Sequence, residues 1–332
     1  MRIEDLWQDK TLLGFGLFPL SLVYCAITKG RALWYAQQDP YQRQRPAFKA
    51  IIVVGNLTVG GTGKTPMVIW LCDFLRRQNL RPGVVSRGYG GKVVKFSREV
   101  TAHSDPAEVG DEPVMLARHT HCPVVVDVDR LRAAHTLRAL HDCDILISDD
   151  GLQHHALPRD IEIVMVDGER RFGNGLCLPA GPLRESVSRL NRVDFVVSTE
   201  LRYAQSHIMH LVGNLAIPLD GQSPLCKLAS FNQQPVHAVA GIGNPERFFT
   251  SLRKKGLRII PHAYPDHHRF RAADIRFNDD YPVLMTEKDS VKCKTFADDR
   301  HYFVPVKAHP EARFVSAFAQ RLQAVIHLNR FN

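Results

Sequence analysis

The stretch VVGNLTVGGTGKTP, Val53 to Pro66, constrains this chain more than any other. An apolar run, Ala50 to Val54, leads into it. A segment from Thr65 to about Gln78 follows, with Val68, Leu71, Cys72 and Leu75 on one face of a helix. Strand, glycine loop and helix are the parts of a phosphate-binding loop. Backbone N–H groups wrap the anion, the helix N-terminus adds partial positive charge, and glycines allow close approach. The strict pattern is glycine, four residues, then Gly-Lys-Ser/Thr. Gly63, Lys64 and Thr65 fit its end, but Thr58 stands where the first glycine belongs. Lys64 would reach the β and γ phosphates, and the Thr65 hydroxyl would bind Mg²⁺. The residues expected around the nucleotide are Thr58, Gly60, Gly61, Thr62, Gly63, Lys64, Thr65 and Pro66.

Further apolar runs recur at Gly83–Ser86, Val124–Val126, Ile145–Ser148, Ile161–Val166 and Phe195–Ser198, with a helical stretch at Arg130–Leu140. This alternation predicts an α/β fold: a P-loop core with a parallel sheet and helices on both faces. A second α/β unit begins near Val236 with VHAVAGIGNPERFF, a strand, a glycine turn and a helix capped by Asn244 with Pro245 in its first turn. Strands are also expected at Val283–Thr286 and Tyr302–Val306. The expected division is an N-terminal segment over 1–35, a kinase-like core over 36–220 and a smaller α/β unit over 225–332. Leu215–Pro224 reads as a linker. The amphipathic last helix, from about Pro310 to His327, is free to pack back on the core. Asp167–Asn191, rich in Gly, Pro and Arg, is too long for a passive connection and reads as a functional loop.

The formal net charge of +9 points to an acidic partner: nucleic acid, anionic lipid or a phosphorylated substrate. No aromatic and basic nucleic-acid motif accompanies it. The seven cysteines form no Cys-x-x-Cys pair, which favours a reducing compartment and no structural zinc. Thr11 to Thr28, TLLGFGLFPLSLVYCAIT, carries no charge and is flanked by Lys10, Lys29 and Arg31. Gly14, Gly16 and Pro19 count against a membrane span, and acidic residues ahead of the run count against a signal peptide. With Trp7, Trp34 and Tyr35 beside it, the segment reads as a membrane-interface helix, with a buried core helix as the alternative.

DILISDDGLQHH, Asp144 to His155, is an apolar strand ending in Asp149 and Asp150. Carboxylates at the carboxyl end of a parallel strand face the same crevice as the phosphate loop, where one of them would hold Mg²⁺ directly or through water. TEKD, Thr286 to Asp289, has the wrong spacing for a guanine-reading motif, which leaves adenine as the better-supported base. On spacing alone Asp111, in VGDEP, reads as a helix start followed by proline.

In chain order, GNLTVGGTGKTP (55–66), SRGYGG (86–91), GDEP (110–113), DVDR (127–130), SDDGLQHH (148–155), LPAGPLRE (178–185), DHHRF (266–270) and TEKD (286–289) resemble the tetraacyldisaccharide 4'-kinase family, the lipid A kinases of Gram-negative bacteria. That family carries the same loop without the first glycine. The resemblance implies ATP and Mg²⁺ as cofactors and phosphorylation of the 4'-hydroxyl of a tetraacylated glucosamine disaccharide 1-phosphate, giving lipid IVA. It implies work at the cytoplasmic face of the inner membrane, as a peripheral or monotopic protein on an anionic surface. It makes Asp111 the base, with His267 rather than His268 as its partner, and adds Lys64 and Asp149 to the catalytic set. Thr65, Asp149, Asp150 and Glu112 are the implied metal residues. Ser86, Arg87, Tyr89, Arg130, Gln153, Arg184 and Glu185 are the implied substrate contacts. No nucleic acid and no obligate protein partner is expected. The competing reading is a membrane-associated P-loop ATPase that switches or loads a protein partner, which would need no acceptor base.

Overall fold

The computed structural model describes residues 7, 12–37, 45–91, 96–266 and 268–329. Two sheets organise them. The larger runs in the order β15-β8-β7-β6-β1-β5-β2-β4-β3. Its strands are β1 (Ala50–Gly55), β2 (Pro82–Ser86), β3 (Arg98–Val100), β4 (Val124–Val126), β5 (Ile145–Asp149), β6 (Ile161–Asp167), β7 (Phe195–Thr199), β8 (His207–Val212) and β15 (Lys307–Pro310). Neighbours from β8 to β4 pair in parallel, and only the edge strands β15 and β3 run antiparallel. Strands β1, β5 and β6 are buried along their whole length, which is why their sequences are mostly apolar, with Glu162 the one charge inside a strand and Asp149 and Asp167 at strand ends.

Helices cover both faces. Helix α2 (Lys64–Arg77) and the last helix, α7 (Ala312–Leu328), pack on one side through Met67, Leu71, Phe314 and Phe318. Trp70 and Phe74 stack 5.2 Å apart and meet Phe318 of α7. Helix α3 (Asp111–Thr120) adds Val114 and Leu116 to the same layer. On the other side α4 (Arg130–Leu140) sets Ala133, Ala134 and Leu137 under Ile51, Val53, Val85 and Leu146.

The smaller sheet, in the order β10-β9-β14-β13-β11-β12, has its own core of Phe231, Val236, Phe249, Leu252 and Leu284 among others. It comprises β9 (Leu215–Pro218), β10 (Cys226–Lys227), β11 (Pro235–Ala240), β12 (Arg258–Ala263), β13 (Val283–Thr286) and β14 (His301–Val304). Helix α5 (Pro245–Lys254) follows β11, with the Asn244 side chain accepting from the Arg247 N–H as a cap, and α6 (Glu287–Cys293) follows β13. Leu215–Pro218, read above as linker, is a strand because it zips antiparallel to β14 and β10. After β14 the chain returns to the larger sheet through β15 and α7.

Helix α1 (Leu12–Gln37) is continuous through Pro19. Leu17, Ser21, Tyr24, Cys25, Thr28, Ala32 and Tyr35 form the stripe that is at least half-buried, whereas Phe18, Leu20, Leu22, Val23, Ile27, Leu33 and Trp34 are exposed. The usual polarity is inverted. The stripe that includes a serine, a threonine and two tyrosines faces the protein, and large apolar side chains face outward. Among the described residues no helix is long and apolar enough to cross a membrane.

The loop expected to be functional, 167–191, is what α1 leans on. Ser21 Oγ donates to the Cys177 carbonyl (2.8 Å) and accepts from the Ala180 N–H (3.0 Å). Trp7 Nε1 donates to the Pro179 carbonyl, and the Asn174 N–H donates to the Trp7 carbonyl.

Candidate active site

The phosphate loop joins β1 to α2 at the carboxyl edge of the parallel strands. Gly60 (φ 104°) and Gly63 (φ 89°) take the left-handed backbone that only glycine adopts without strain, and Gly63 stands at the N-cap of α2. Thr58 does not need glycine's freedom, since its φ is not positive. Its backbone instead bridges to Leu183, while the Val59 N–H donates to the Pro182 carbonyl and the Arg184 N–H to the Leu57 carbonyl. Loop 167–191 therefore braces the phosphate loop from outside. Asn56, unnoticed in the sequence, braces it from inside: its fully buried Nδ2 donates to the carbonyls of Thr58 (2.8 Å) and Gly60 (3.3 Å). The Thr62 hydroxyl is buried without a hydrogen-bond partner.

Lys64 opens α2. Its ammonium donates to Asn56 Oδ1 (3.2 Å) and lies 3.5 Å from Asp150. Thr65 and Pro66 follow it, half-buried. Val54 of β1 is in register with Asp149 of β5, so the acid pair sits beside the loop. The two carboxylates have opposite environments. Asp150, 28% exposed, pairs with Lys64 and with Arg184 (3.0 Å). Burial pushes its pKa up, but Lys64, Arg184 and Arg130 outweigh it and hold the carboxyl well below the ordinary range. Asp149 is fully buried, accepts from the Ser86 hydroxyl at Oδ2 (3.3 Å) and has no hydrogen-bond partner at Oδ1. Burial first, then the charges of Glu112 and Asp150, push its pKa up to about 7. A buried carboxylate oxygen without a donor, among like charges, is the environment a cation would relieve. Among the described residues no group of three or more Asp, Glu, His or Cys is arranged to hold a metal. A Mg²⁺ here would take its remaining ligands from phosphate and water.

Arg130, buried at the start of α4, donates to the Asp127 carbonyl (3.1 Å), and its Nε has no partner. Burial lowers its pKa to about 10 against the pull of Asp150 and Asp149. Arg87 and Tyr89 are exposed on the loop after β2. Gln153 donates to the Asn56 carbonyl (3.1 Å) and to Glu185 (2.9 Å), and Arg189 flanks Glu185 at 3.7 Å. Gln153 and Glu185 thus form a half-buried bracket under the phosphate loop.

The second sheet closes the site from across the crevice. Asp111, the buried first residue of α3, follows Gly110, whose φ of 91° and contact with the Tyr89 carbonyl require glycine. Lys292 of α6 lies 3.1 Å from Asp111. Lys288 of α6 bridges Glu112 and Asp266, both at 3.2 Å. Burial would lower the Lys288 pKa, but Glu112, Asp266 and Asp111 outweigh it and keep the group charged. His119 at the far end of α3 pairs with Glu287 of α6. His268 pairs with Asp274 (3.2 Å) rather than with Asp111, and His267 lies outside the described residues. The Lys288 and Lys292 contacts could not be read from TEKDSVKC, because nothing local brings that stretch to Asp111.

Between the two sheets lies the turn after β11. Gly243 touches the phosphate loop: a Cβ there would come 2.7 Å from the Gly61 nitrogen and 2.9 Å from Gly60 Cα. Arg170 donates to the Gly243 carbonyl (2.5 Å), and Asn244 donates to Asp167 (3.2 Å). A cavity of about 360 Å³ opens beside this contact, lined by Trp7, Gly60, Gly61, Thr62, Asp167 and Arg170 among others.

Known proteins resemble this chain over nearly its whole length. The sequence profile for LpxK, tetraacyldisaccharide-1-P 4'-kinase, matches residues 13–323. The tetraacyldisaccharide 4'-kinase of Nitrosococcus oceani is 50% identical over 318 residues, 96% of this chain and 93% of the relative. That of Alkalilimnicola ehrlichii is 49% identical over 312 residues, 93% of this chain and 91% of the relative. The crystal structure of an "apo" form of LpxK from Aquifex aeolicus in complex with ATP aligns with a TM-score of 0.75 at 25% identity, over 95% of this chain and 100% of that one. With the match extending over nearly its whole length, the chain belongs to the tetraacyldisaccharide 4'-kinase family.

Proposed function

We propose that this protein transfers the γ-phosphate of ATP, with Mg²⁺, to the 4'-hydroxyl of a tetraacylated glucosamine disaccharide 1-phosphate, the step that forms lipid IVA. Family membership supports the kinase reaction itself. The observation that carries the catalytic reading is Asp149: a fully buried carboxylate with one bare oxygen, next to the phosphate-loop lysine and a buried arginine. When bound, Mg²⁺ would neutralise charge across the β and γ phosphates. Asp149 and the Thr65 hydroxyl would hold it, with Glu112 near enough to share the charge. The phosphate-loop N–H groups and Lys64 would hold the triphosphate, and Lys64 would exchange its contact with Asp150 for phosphate oxygen. Arg130, buried within the electrostatic reach of the acid pair and with no hydrogen-bond partner at Nε, would meet phosphate as well. Asp111 would accept the proton of the acceptor hydroxyl.

Helix α1 fits an enzyme that takes a four-chain lipid from a membrane surface. Its exposed apolar side chains would enter the interface while the stripe through Ser21, Tyr24 and Tyr35 holds the protein. Lys29 and Arg31, in the same helix, would favour anionic headgroups.

Transfer of labelled γ-phosphate to the acylated disaccharide 1-phosphate tests the reaction. Lys64→Ala should lower transfer by at least about 100-fold, and Asp111→Asn should lower kcat by about 100-fold with ATP affinity kept. ATP hydrolysis without lipid phosphorylation would overturn the kinase reading in favour of a switch ATPase. Loss of ATP binding in Asp111→Asn would overturn the role given to Asp111.

A further inference from the structure

Lys292 sits between two buried carboxylates. Its ammonium is 3.1 Å from Asp111 Oδ2 and 3.5 Å from Asp289 Oδ1, and the side chain is 13% exposed. Asp289 is fully buried and already committed elsewhere. Its Oδ2 accepts the Gly241 N–H (2.8 Å) and the Thr286 hydroxyl (2.5 Å). Gly241 begins the turn whose Gly243 lies against Gly60 and Gly61 of the phosphate loop. A contiguous path therefore runs from the acceptor side of the crevice to its nucleotide side: Asp111, Lys292, Asp289, Gly241, Gly243, phosphate loop. The aromatic ring of Phe270, 5.8 Å from the Lys292 ammonium, closes one flank.

We propose that Lys292 is a positioning residue for phosphoryl transfer. It ties the Asp111 carboxylate to the buried carboxylate that fixes the turn on the phosphate loop, so that base and nucleotide are held in one register. The proposal rests on the reading of Asp111 as the base. The physical argument is one of geometry. An isolated aspartate at the first turn of a helix has free rotation about its side-chain bonds. A buried ion pair to a lysine that is itself pinned by a second carboxylate removes that freedom. Lys288, on the same helix, pairs with Glu112 and Asp266, both at 3.2 Å.

The experiment is a kinetic double-mutant cycle on the full chain with ATP and the lipid acceptor, using Lys292→Met, Lys292→Arg, Asp111→Asn and the Lys292→Met/Asp111→Asn pair. Lys292→Met should lower kcat by about 10-fold or more with both KM values within about twofold of the parent, and Lys292→Arg should recover most of the loss. Residues that act as one unit are non-additive, so the double variant should be no slower than Asp111→Asn alone, within about twofold. A parental kcat in Lys292→Met overturns the proposal. So does a double variant slowed by the product of the two single effects, because Lys292 would then act independently of Asp111. A parental kcat in Asp111→Asn removes the base reading and the proposal with it, whereas a slow Asp111→Asn beside an unimpaired Lys292→Met removes the proposal alone. If Lys292→Met does not melt cooperatively, Lys292→Gln, which keeps a donor between the two carboxylates, is judged by the same criteria.

Discussion

Thr58 marks where sequence pattern and backbone physics part. The consensus asks for glycine there, yet the residue is buried, its φ is not positive, and its main chain bridges to Leu183. Thr58→Gly should therefore restore the consensus without improving the site. It should cost about 1 kcal/mol of stability through added chain freedom, with ATP affinity unchanged. Thermal melts and ATP titration check it, and tighter ATP binding in the glycine variant would sink the argument. Lys64, Asp149 and Asp150 were legible because their positions follow from the strand-end rule and from a short local motif. Asn56 was hidden although it adjoins that motif, because an asparagine after a strand carries no pattern of its own. Its meaning comes from two carbonyls that turn back toward it. Lys288 and Lys292 were hidden for a different reason. Their partners, Glu112 and Asp111, lie far away in sequence, and no local pattern encodes a contact across a crevice.

Elements were legible in proportion to their burial. The strands under helices on both faces, β1, β5 and β6, announce themselves as apolar runs, and the Arg130–Leu140 helix appears with the bounds expected of it. Strands β3, β8, β12 and β15 were not foreseen. Each is short or lies toward a sheet edge, and mixed burial along it leaves no continuous apolar signal. The composition of loop 167–191 marks it as more than a passive connection, but not what it touches. It holds α1 with one face and the phosphate loop with the other. Ser21 is the pivot on the α1 side, accepting one hydrogen bond and donating another in a buried contact. Ser21→Ala leaves the Cys177 carbonyl and the Ala180 N–H without that partner, a loss of about 1–3 kcal/mol in local stability. Amide hydrogen exchange should speed up at Ala180 while the amides of β5, in the sheet core, keep their protection. Unchanged protection at Ala180 would mean that α1 is held by other contacts.

At the scale of the molecule, the two sheets meet where chemistry is proposed. Among the described residues, three side-chain pairs join α3 to α6: Asp111 with Lys292, Glu112 with Lys288, and His119 with Glu287. A fourth contact joins the β11 turn to the phosphate loop, and this one is backbone against backbone. Side chains at the first three can turn aside when substituted, but Gly243 has no such slack. A methyl group there would sit 2.7 Å from the Gly61 nitrogen, closer than real Cβ contacts come, so the second sheet's turn must move away from the loop. Gly243→Ala should therefore act on nucleotide use before it acts on folding. Each sheet keeps its own core, built around residues such as Ile52 in the larger and Leu284 in the smaller, and the melting temperature should fall by no more than a few degrees. The KM for ATP should rise by about 10-fold, because the wall beside Gly60 and Gly61 is displaced. Gly61→Ala is the control, since a Cβ at that position meets no protein atom within 4 Å. Any loss of ATP affinity there, with an unchanged melt, reports space that the nucleotide itself needs. A parental KM for ATP in Gly243→Ala would show that the close approach of this turn to Gly60 and Gly61 has no part in nucleotide binding.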